Sequence, residues 1–469
     1  MVHAPSTLTA GDVDQLRRSL DGDIVTPNDA TYDDARRLWN AINDRRPAVI
    51  ARPASAGGVA TAIRFGRDRG LELAVRAGGH SVDGIAGLDG GLVVDLTAMR
   101  GVEVDAESRL ARAQGGALLG ELDVAAQAHG LVCPVGVVGH TGAAGLTLGG
   151  GIGRLQRRFG LTIDNLASVE LVTADGRIIR ASETEEPELF WGIRGAGWNF
   201  GIVTAFEFRL HPFGPDLHRG TLMFPGSQVQ DAWAVFREYT ARAPETVSII
   251  FGIDRAGTED ETPASIAGKP IAYIGYNHSG AAETVERDTA GLYAGPKPAM
   301  ATIGSRPYLD VQTAHDLVLG WGNRSYIYSA NANEIRADAL DELVEHVATT
   351  EGEGTLSATA LGGAIGRVDD DATAYTGRVA RFDVSADITW RDPARDDTNR
   401  SWARRAVALA LTEPDPGLGR FVNGNSDAGP EQSRLYYGDA KVARLAALKR
   451  TWDPDNVFHV NHNVAPAGR

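Results

Sequence analysis

The sequence predicts an α+β protein, and three observations carry that expectation. Short apolar runs alternate with Gly-rich turns from about residue 47 to residue 212, only two or three helical patterns interrupt them, and later strands are separated by helical stretches. Residues 57–69 space Val59, Ile63 and Phe65 at near-helical intervals, and Gly70 follows as a stop signal, so a helix is expected there. Residues 73–75 then read as a strand, 91–97 as a buried strand, and 102–105 with 110–114 as a hairpin, which makes the sheet partly antiparallel. The clearest hairpin joins 166–172 to 177–181, because Asp175-Gly176 supplies the positive φ angles of a tight turn. Residues 201–212 alternate with period two and end on a proline, placing a domain boundary at 212–215. From about 214 to 420, strands such as 271–276 and 382–390 are separated by helical stretches such as 340–347 and 402–411, the pattern of a sheet backed by helices. The segment 439–452 is amphipathic, with Val442, Leu445 and Leu448 on one side, and Asp453-Pro454 ends it.

Composition bounds the function. A chain of 469 residues suits two domains of unequal size. Hydrophobic residues make up 43% and no run reaches the roughly 20 apolar residues of a membrane helix, so a soluble globular protein with no membrane partner is expected. The net charge of −15 argues against nucleic acid and anionic lipid, whose binding needs clustered Lys and Arg, and leaves a small molecule as the expected partner. The acidic start of the chain lacks a secretory pattern, and Cys133 is the single cysteine, which excludes an internal disulfide and fits a reducing cytoplasm. The histidines show no metal-ligand spacing and H-E-x-x-H does not occur, so no metal is expected.

Three constellations carry chemistry. The first is Arg76-Ala77-Gly78-Gly79-His80-Ser81, directly after a strand, where two glycines let the backbone come close to a ligand. The second, Gly139 to Gly153, holds seven glycines in fifteen positions; a compact domain would carry that density only where backbone must touch something, and a phosphate or a flat cofactor is the expected partner. The spacing is not G-x-G-x-x-G, the run does not sit in a βαβ unit, and no P-loop motif occurs, so a nicotinamide or P-loop site is disfavoured. The third is Arg434-Leu435-Tyr436-Tyr437-Gly438, followed by Asn461-His462-Asn463 near the C-terminus.

With Asp164-Asn165, 173–176, 189–195 and 199–201, these residues resemble the berberine bridge enzyme type of flavin-dependent oxidase, within the vanillyl-alcohol oxidase (PCMH-type FAD-binding) superfamily. The resemblance spans nearly the whole chain. It implies a fold of two α+β subdomains that bind FAD, formed by residues 1–212 (core about 45–212) with 421–469 returning to them, and an inserted α+β substrate domain, 213–420, with an antiparallel sheet. It implies FAD bonded covalently to His80 at its 8α carbon. A neutral imidazole is a competent nucleophile for that bond. The position at which relatives add a cysteine bond to the flavin falls on Val138, with Cys133 five residues earlier, so one covalent bond, through His80 alone, is expected.

The same resemblance implies further cofactor contacts at Arg76, Ala77, Gly78, Gly79, Ser81, Thr141, Gly142, Gly145, Leu146, Gly149, Gly150, Gly151, Gly153, Asn165, Gly201 and Val203. Asn461 and Asn463 would lie on a closing strand against the flavin. Tyr436, with Tyr437 as fallback, would be the catalytic base, helped by a cation such as Arg378 or Arg434. Tyr375, Phe382 and Val384 would line the substrate face. The implied activity is oxidation of an alcohol or amine carbon by hydride transfer to flavin, with dioxygen as acceptor. A flavin dehydrogenase with another acceptor, or a flavin protein that sequesters a small ligand, are the alternatives.

Overall fold

The computed structural model describes residues 8–350, 352–412 and 415–468, so the first seven residues lie outside it. Four short strands open the fold: β1 (Gly22–Val25), β2 (Val49–Pro53), β3 (Leu73–Arg76) and β4 (Leu92–Asp95), in the spatial order β1-β2-β4-β3. β2, β4 and β3 run parallel and β1 antiparallel. The parallel strands are apolar along most of their length because both faces are covered. On one face lies the helix Ala56–Asp68, whose first turn is capped by Ser55 Oγ accepting from the Gly58 N–H and which buries Val59, Ile63 and Phe65.

Then follow β5 (Val102–Asp105), β6 (Leu110–Gln114), β7 (Leu131–Val132), β8 (Leu166–Val172), β9 (Ile178–Ser182), β10 (Ile202–Arg209) and β11 (His211–Pro212). Five of them form an antiparallel sheet in the order β5-β6-β10-β8-β9, and β7 pairs with β11 as a small ribbon. Gly176, at φ +81°, closes the β8–β9 turn as its Asp-Gly sequence requires. The glycine-rich stretch and the short helix Ala143–Leu148 lie between β7 and β8.

The third sheet is built from β12 (Asp216–Pro225), β13 (Val247–Arg255), β14 (Pro270–His278), β15 (Met300–Pro307), β16 (Arg324–Ala332), β17 (Glu353–Ala360) and β18 (Phe382–Trp390). All seven pair antiparallel, in the order β15-β12-β14-β13-β17-β18-β16. Its apolar face packs on the helices Val229–Thr240, Leu340–Ala348 and Asp396–Ala410, with Trp233, Phe236, Leu343 and Trp402 in the shared core. Phe382, Val384, Ala386 and Ile388 of β18 all belong to that core. Phe382 and Val384 therefore hold the sheet to its helices and do not line the substrate face, which is a correction to the expectation above. Strand alternation sends Asp383, Ser385 and Asp387 to the opposite face. In register with them stand Asn331, Ser329 and Ile327 of β16 and Thr359, Ser357 and Thr355 of β17.

The helix Ser433–Trp452 is broken at Gly438, which sits at φ +70°. Beyond it the chain returns to the first half of the fold. Lys449 is fully buried, donates to the carbonyls of Asn199 and Phe458 and pairs with Asp453 at 2.8 Å. Asn199 then accepts from the Val464 N–H. No strand forms at 461–463: the segment is held by Asn199 and by side chains instead of by a ladder, which corrects the expected closing strand. No helix among the described residues is long and apolar enough to cross a membrane.

Candidate active site

His80 follows β3 at the end of a loop that glycines allow to come close to its neighbour. A Cβ on Gly78 would lie 2.3 Å from the Gly142 nitrogen, and one on Gly142 2.4 Å from the Gly78 nitrogen, so the His80 loop and the glycine run pack backbone on backbone. The His80 ring stacks on Trp39 at 4.3 Å, and its Nε2 lies 3.1 Å from Nδ1 of His140. Burial, with His140 beside it, lowers the His80 pKa to about 3, so the imidazole is neutral at physiological pH. Arg76 is buried against the same loop and donates to the Ala35 carbonyl, while its Nε has no partner. Ser81 Oγ donates to Asp83. Ala77 packs at the edge of the core.

The remaining glycines of the run face mostly protein. Cβ atoms on Gly149, Gly150, Gly151 and Gly153 would strike Asn423, Tyr375, Thr162 and the Val135 carbonyl, whereas Gly145 is exposed and fronts open space. Leu146 accepts from Asn423 Nδ2, and the Thr141 carbonyl accepts from Leu119. Val138 is buried, and Cys133 lies at 0% exposure in the apolar core, its thiol pushed well up by burial.

Three residues expected at the cofactor are engaged elsewhere. The Asn165 amide donates to the carbonyls of Phe159 and Leu161, and its oxygen meets His211, so no polar atom is left for a cofactor. A Cβ on Gly201 would meet the Val172 carbonyl at 2.6 Å, so that glycine serves strand packing. Val203 lies in the core of the second sheet.

The break at Gly438 turns Tyr436 and Tyr437 inward, at 1% and 2% exposure. Tyr436 Oη donates to the Asp427 carbonyl at 2.5 Å, and burial pushes its pKa well above the usual tyrosine range. The two arginines expected to help are not available to it. Arg378 is a fully buried guanidinium bonded to both oxygens of Asp164, and Arg434 is exposed and faces Asp439. Against the Tyr436 ring stands His462, edge-on at 4.9 Å, with its Nε2 2.8 Å from Oδ2 of the buried Asp83. Trp39, Asp83, His140 and His462 were not singled out by sequence reasoning. His140 and His462 sit inside the quoted motifs, so a signal for them existed; Asp83 and Trp39 gave none.

Tyr375 joins the glycine run to the third sheet. Its ring fills the space a Gly150 side chain would need, Lys441 Nζ holds its carbonyl at 2.6 Å, and its hydroxyl feels the Asp383 carboxylate. From β16, Asn331 reaches the Leu418 carbonyl and Ser329 accepts from Asn425, so the polar sheet face and the 418–425 segment close over the glycine run together.

Buried polar atoms in folded proteins nearly always find partners. Here the side-chain atoms without a well-formed hydrogen bond include Arg76 Nε, Asn331 Oδ1, Tyr375 Oη, Asp383 Oδ1, Asn461 Oδ1, His462 Nδ1 and Asn463 Oδ1. Such a concentration around the His80 loop and the C-terminal segment fits a large, flat cofactor rich in donors and acceptors. The family model described as an FAD binding domain matches residues 47–182, and the berberine and berberine-like model matches 418–465. The (R)-6-hydroxynicotine oxidase of Paenarthrobacter nicotinovorans is 30% identical over 461 residues, 96% of this chain and 98% of the relative. The chain belongs to the berberine bridge enzyme-like FAD-linked oxidases.

Further relatives and solved structures are similar to this chain. An FAD-linked oxidoreductase of Aspergillus terreus is 30% identical across 98% of this chain and 97% of its own. The crystal structure of 6-hydroxy-D-nicotine oxidase from Arthrobacter nicotinovorans matches with a TM-score of 0.84 at 28% identity, covering 95% of this chain and 98% of that one. The glucooligosaccharide oxidase of Acremonium strictum, with a 6-S-cysteinyl, 8α-N1-histidyl FAD, shares the fold at a TM-score of 0.86 and 22% identity, covering 98% of this chain and 100% of that one.

Proposed function

We propose that this FAD-linked oxidase holds its flavin covalently through His80 alone and oxidises an alcohol or amine carbon of a small organic molecule. The observation that carries the reading is the set of unpartnered buried polar atoms lying between His80, the C-terminal segment and the polar sheet face. When bound, the flavin supplies the hydride acceptor, and dioxygen, taking the electrons on, leaves as hydrogen peroxide.

The chain's own residues prepare that chemistry. His80 is neutral, stacked on Trp39 and held beside His140, the state a nucleophilic attachment needs. With Val138 at the cysteine position and Cys133 buried in the core, a second bond is not expected. Arg76, Asn461 and Asn463 offer polar atoms to the cofactor, and Gly145 leaves its backbone open. We assign residues 1–212 and 421–469 to cofactor binding and 213–420 to the substrate, in line with the spans of the two family models.

Tyr436 is the residue we place at the substrate heteroatom, with Tyr437 behind it. Its buried hydroxyl is protonated at neutral pH and donates to the Asp427 carbonyl, so its oxygen accepts a hydrogen bond from the substrate O–H or N–H and orients it, and only the ionised form takes that proton as base. Similarity to oxidases named for 6-hydroxynicotine, a small organic amine, supports this substrate class.

Acid denaturation of the purified protein tests the reading. Yellow colour should stay with the polypeptide, peptide mass mapping should place the flavin on His80, and His80→Ala should release it. Colour that washes off wild type, or a flavin peptide containing Cys133, overturns the attachment. Absence of peroxide during turnover under air overturns the oxidase assignment.

A further inference from the structure

The polar face of the third sheet carries carboxylates with no cation to answer them. Asp383 is 8% exposed, and its Oδ1 has no hydrogen-bond partner. Asp387, four residues further along the strand on the same face, receives one bond, from Ser385 Oγ at 3.1 Å. Among the described residues no Lys or Arg lies within ion-pair distance of either. Isolated buried carboxylates are costly unless they are paired or take up a proton.

A second, independent feature points into the same place. Tyr375 Oη and Asn331 Oδ1 are buried, unpartnered and neutral: Tyr375 is coupled to Asp383, and Asn331 pairs with it in register across β16 and β18. Tyr375 also abuts Gly150, so the cluster borders the glycine run. The other groups facing it are Ser329 of β16, Thr355 of β17, Asp254 of β13 and Tyr273 of β14, and Asp254 adds a third carboxylate. The arginine of the neighbouring loop, Arg378, is already bound to Asp164.

We infer that Asp383 and Asp387 form a cation subsite that selects a protonated amine as the substrate class, with Tyr375 and Asn331 receiving its N–H groups or neighbouring heteroatoms. The inference rests on the oxidase reading above and narrows its substrate to an amine that is held as the ammonium and gives its N–H proton to a carboxylate of the subsite before the adjacent carbon gives hydride. A neutral alcohol or sugar would leave the carboxylates without a counter-charge, whereas an ammonium neutralises them in a site of low dielectric.

The test uses the flavin-loaded enzyme and two probes of similar shape, benzyldimethylamine and benzyl alcohol, with dissociation constants read from the perturbed flavin spectrum. The amine should bind at least tenfold more tightly than the alcohol, and Asp383→Asn with Asp387→Asn should erase that preference while leaving flavin content unchanged. A second measurement needs no variant. Burial raises Asp383 to a pKa of about 7 and Asp387 to about 6, so both gain charge as pH rises through this range. Affinity for the permanently charged benzyltrimethylammonium should therefore climb severalfold from pH 5 to pH 8. Equal binding of amine and alcohol, or affinity for the quaternary probe that is flat with pH, overturns the subsite. Protein that carries no flavin fails the oxidase reading instead, so the two failures are distinguishable.

Discussion

At Tyr436 the hydroxyl has a carbonyl acceptor, an aromatic neighbour in His462, and the Arg420 charge within electrostatic reach. A phenol in that setting acts through its hydrogen bond in the ground state. Tyr436→Phe keeps the ring and removes the one polar atom, so we expect anaerobic flavin reduction by substrate to slow by about 10² or more, with the resting flavin spectrum unchanged. Stopped-flow absorbance near the flavin band measures it, and a wild-type rate would remove Tyr436 from the chemistry. This residue was legible because Tyr436-Tyr437-Gly438 is contiguous and Gly438 alone explains the turn that buries the pair. The His462–Asp83 contact was not, since its partners are distant in sequence and become neighbours only when the C-terminal segment folds back over the His80 loop. Nor could sequence show that Asn165 has every amide atom bonded to its own neighbourhood, because that depends on where Phe159, Leu161 and His211 come to rest.

Elements repeat the lesson in another form. In β18 the alternation was plain, and it separates Phe382, Val384, Ala386 and Ile388 from Asp383, Ser385 and Asp387. Alternation tells which residues share a face; it does not tell which layer covers that face. The helices took the apolar side, and the polar side was left for the site. The glycine run shows a similar limit, because several of its glycines make room for Asn423, Tyr375 and Thr162 instead of for a ligand. The element most exposed to a single change is the loop that carries Tyr375. Arg378, on that loop, binds both oxygens of Asp164 in the turn after the glycine run and donates to Thr373 Oγ1. Arg378→Met leaves the Asp164 charge buried with only the Leu161 N–H to answer it, which should cost about 3–5 kcal/mol. Urea unfolding of the flavin-loaded enzyme checks it, and Arg378→Met with Asp164→Asn should recover much of the loss because neither charge remains. A single variant as stable as wild type would mean that the pair holds nothing in place.

For the whole molecule, pH sets two groups of buried residues against each other. Asp123 ties the helix Leu119–Gln127 to the segment before β16, accepting from Tyr308 Oη at 3.2 Å and Gln312 Nε2 at 3.1 Å, and burial raises its pKa to about 7. Asp254, Asp383 and Asp387 are raised as well. An unfolded carboxylate ionises near pH 4 while the folded one stays protonated, so each of these removes stability as pH rises from about 4 to 7 and nothing further above it. His211, His218 and His315 are shifted the other way by burial, His315 to about 4. The unfolded imidazole takes a proton below about 6.5 and the folded one resists, so these add stability as pH rises through that same interval. The depressed carboxylates, such as Asp83 and Asp288, act only below the ordinary carboxylate pKa and leave the window untouched. The opposing slopes make the wild-type urea midpoint nearly level between pH 5 and pH 6.5, then slightly lower by pH 7.5, where the histidines have finished titrating and the carboxylates have not. Asp123→Asn deletes one falling contribution while keeping an oxygen for Tyr308 or Gln312. Its midpoint should rise with pH across 5 to 6.5 relative to wild type, and a curve parallel to wild type would show that Asp123 is not the protonated group that joins the helix Leu119–Gln127 to the segment before β16.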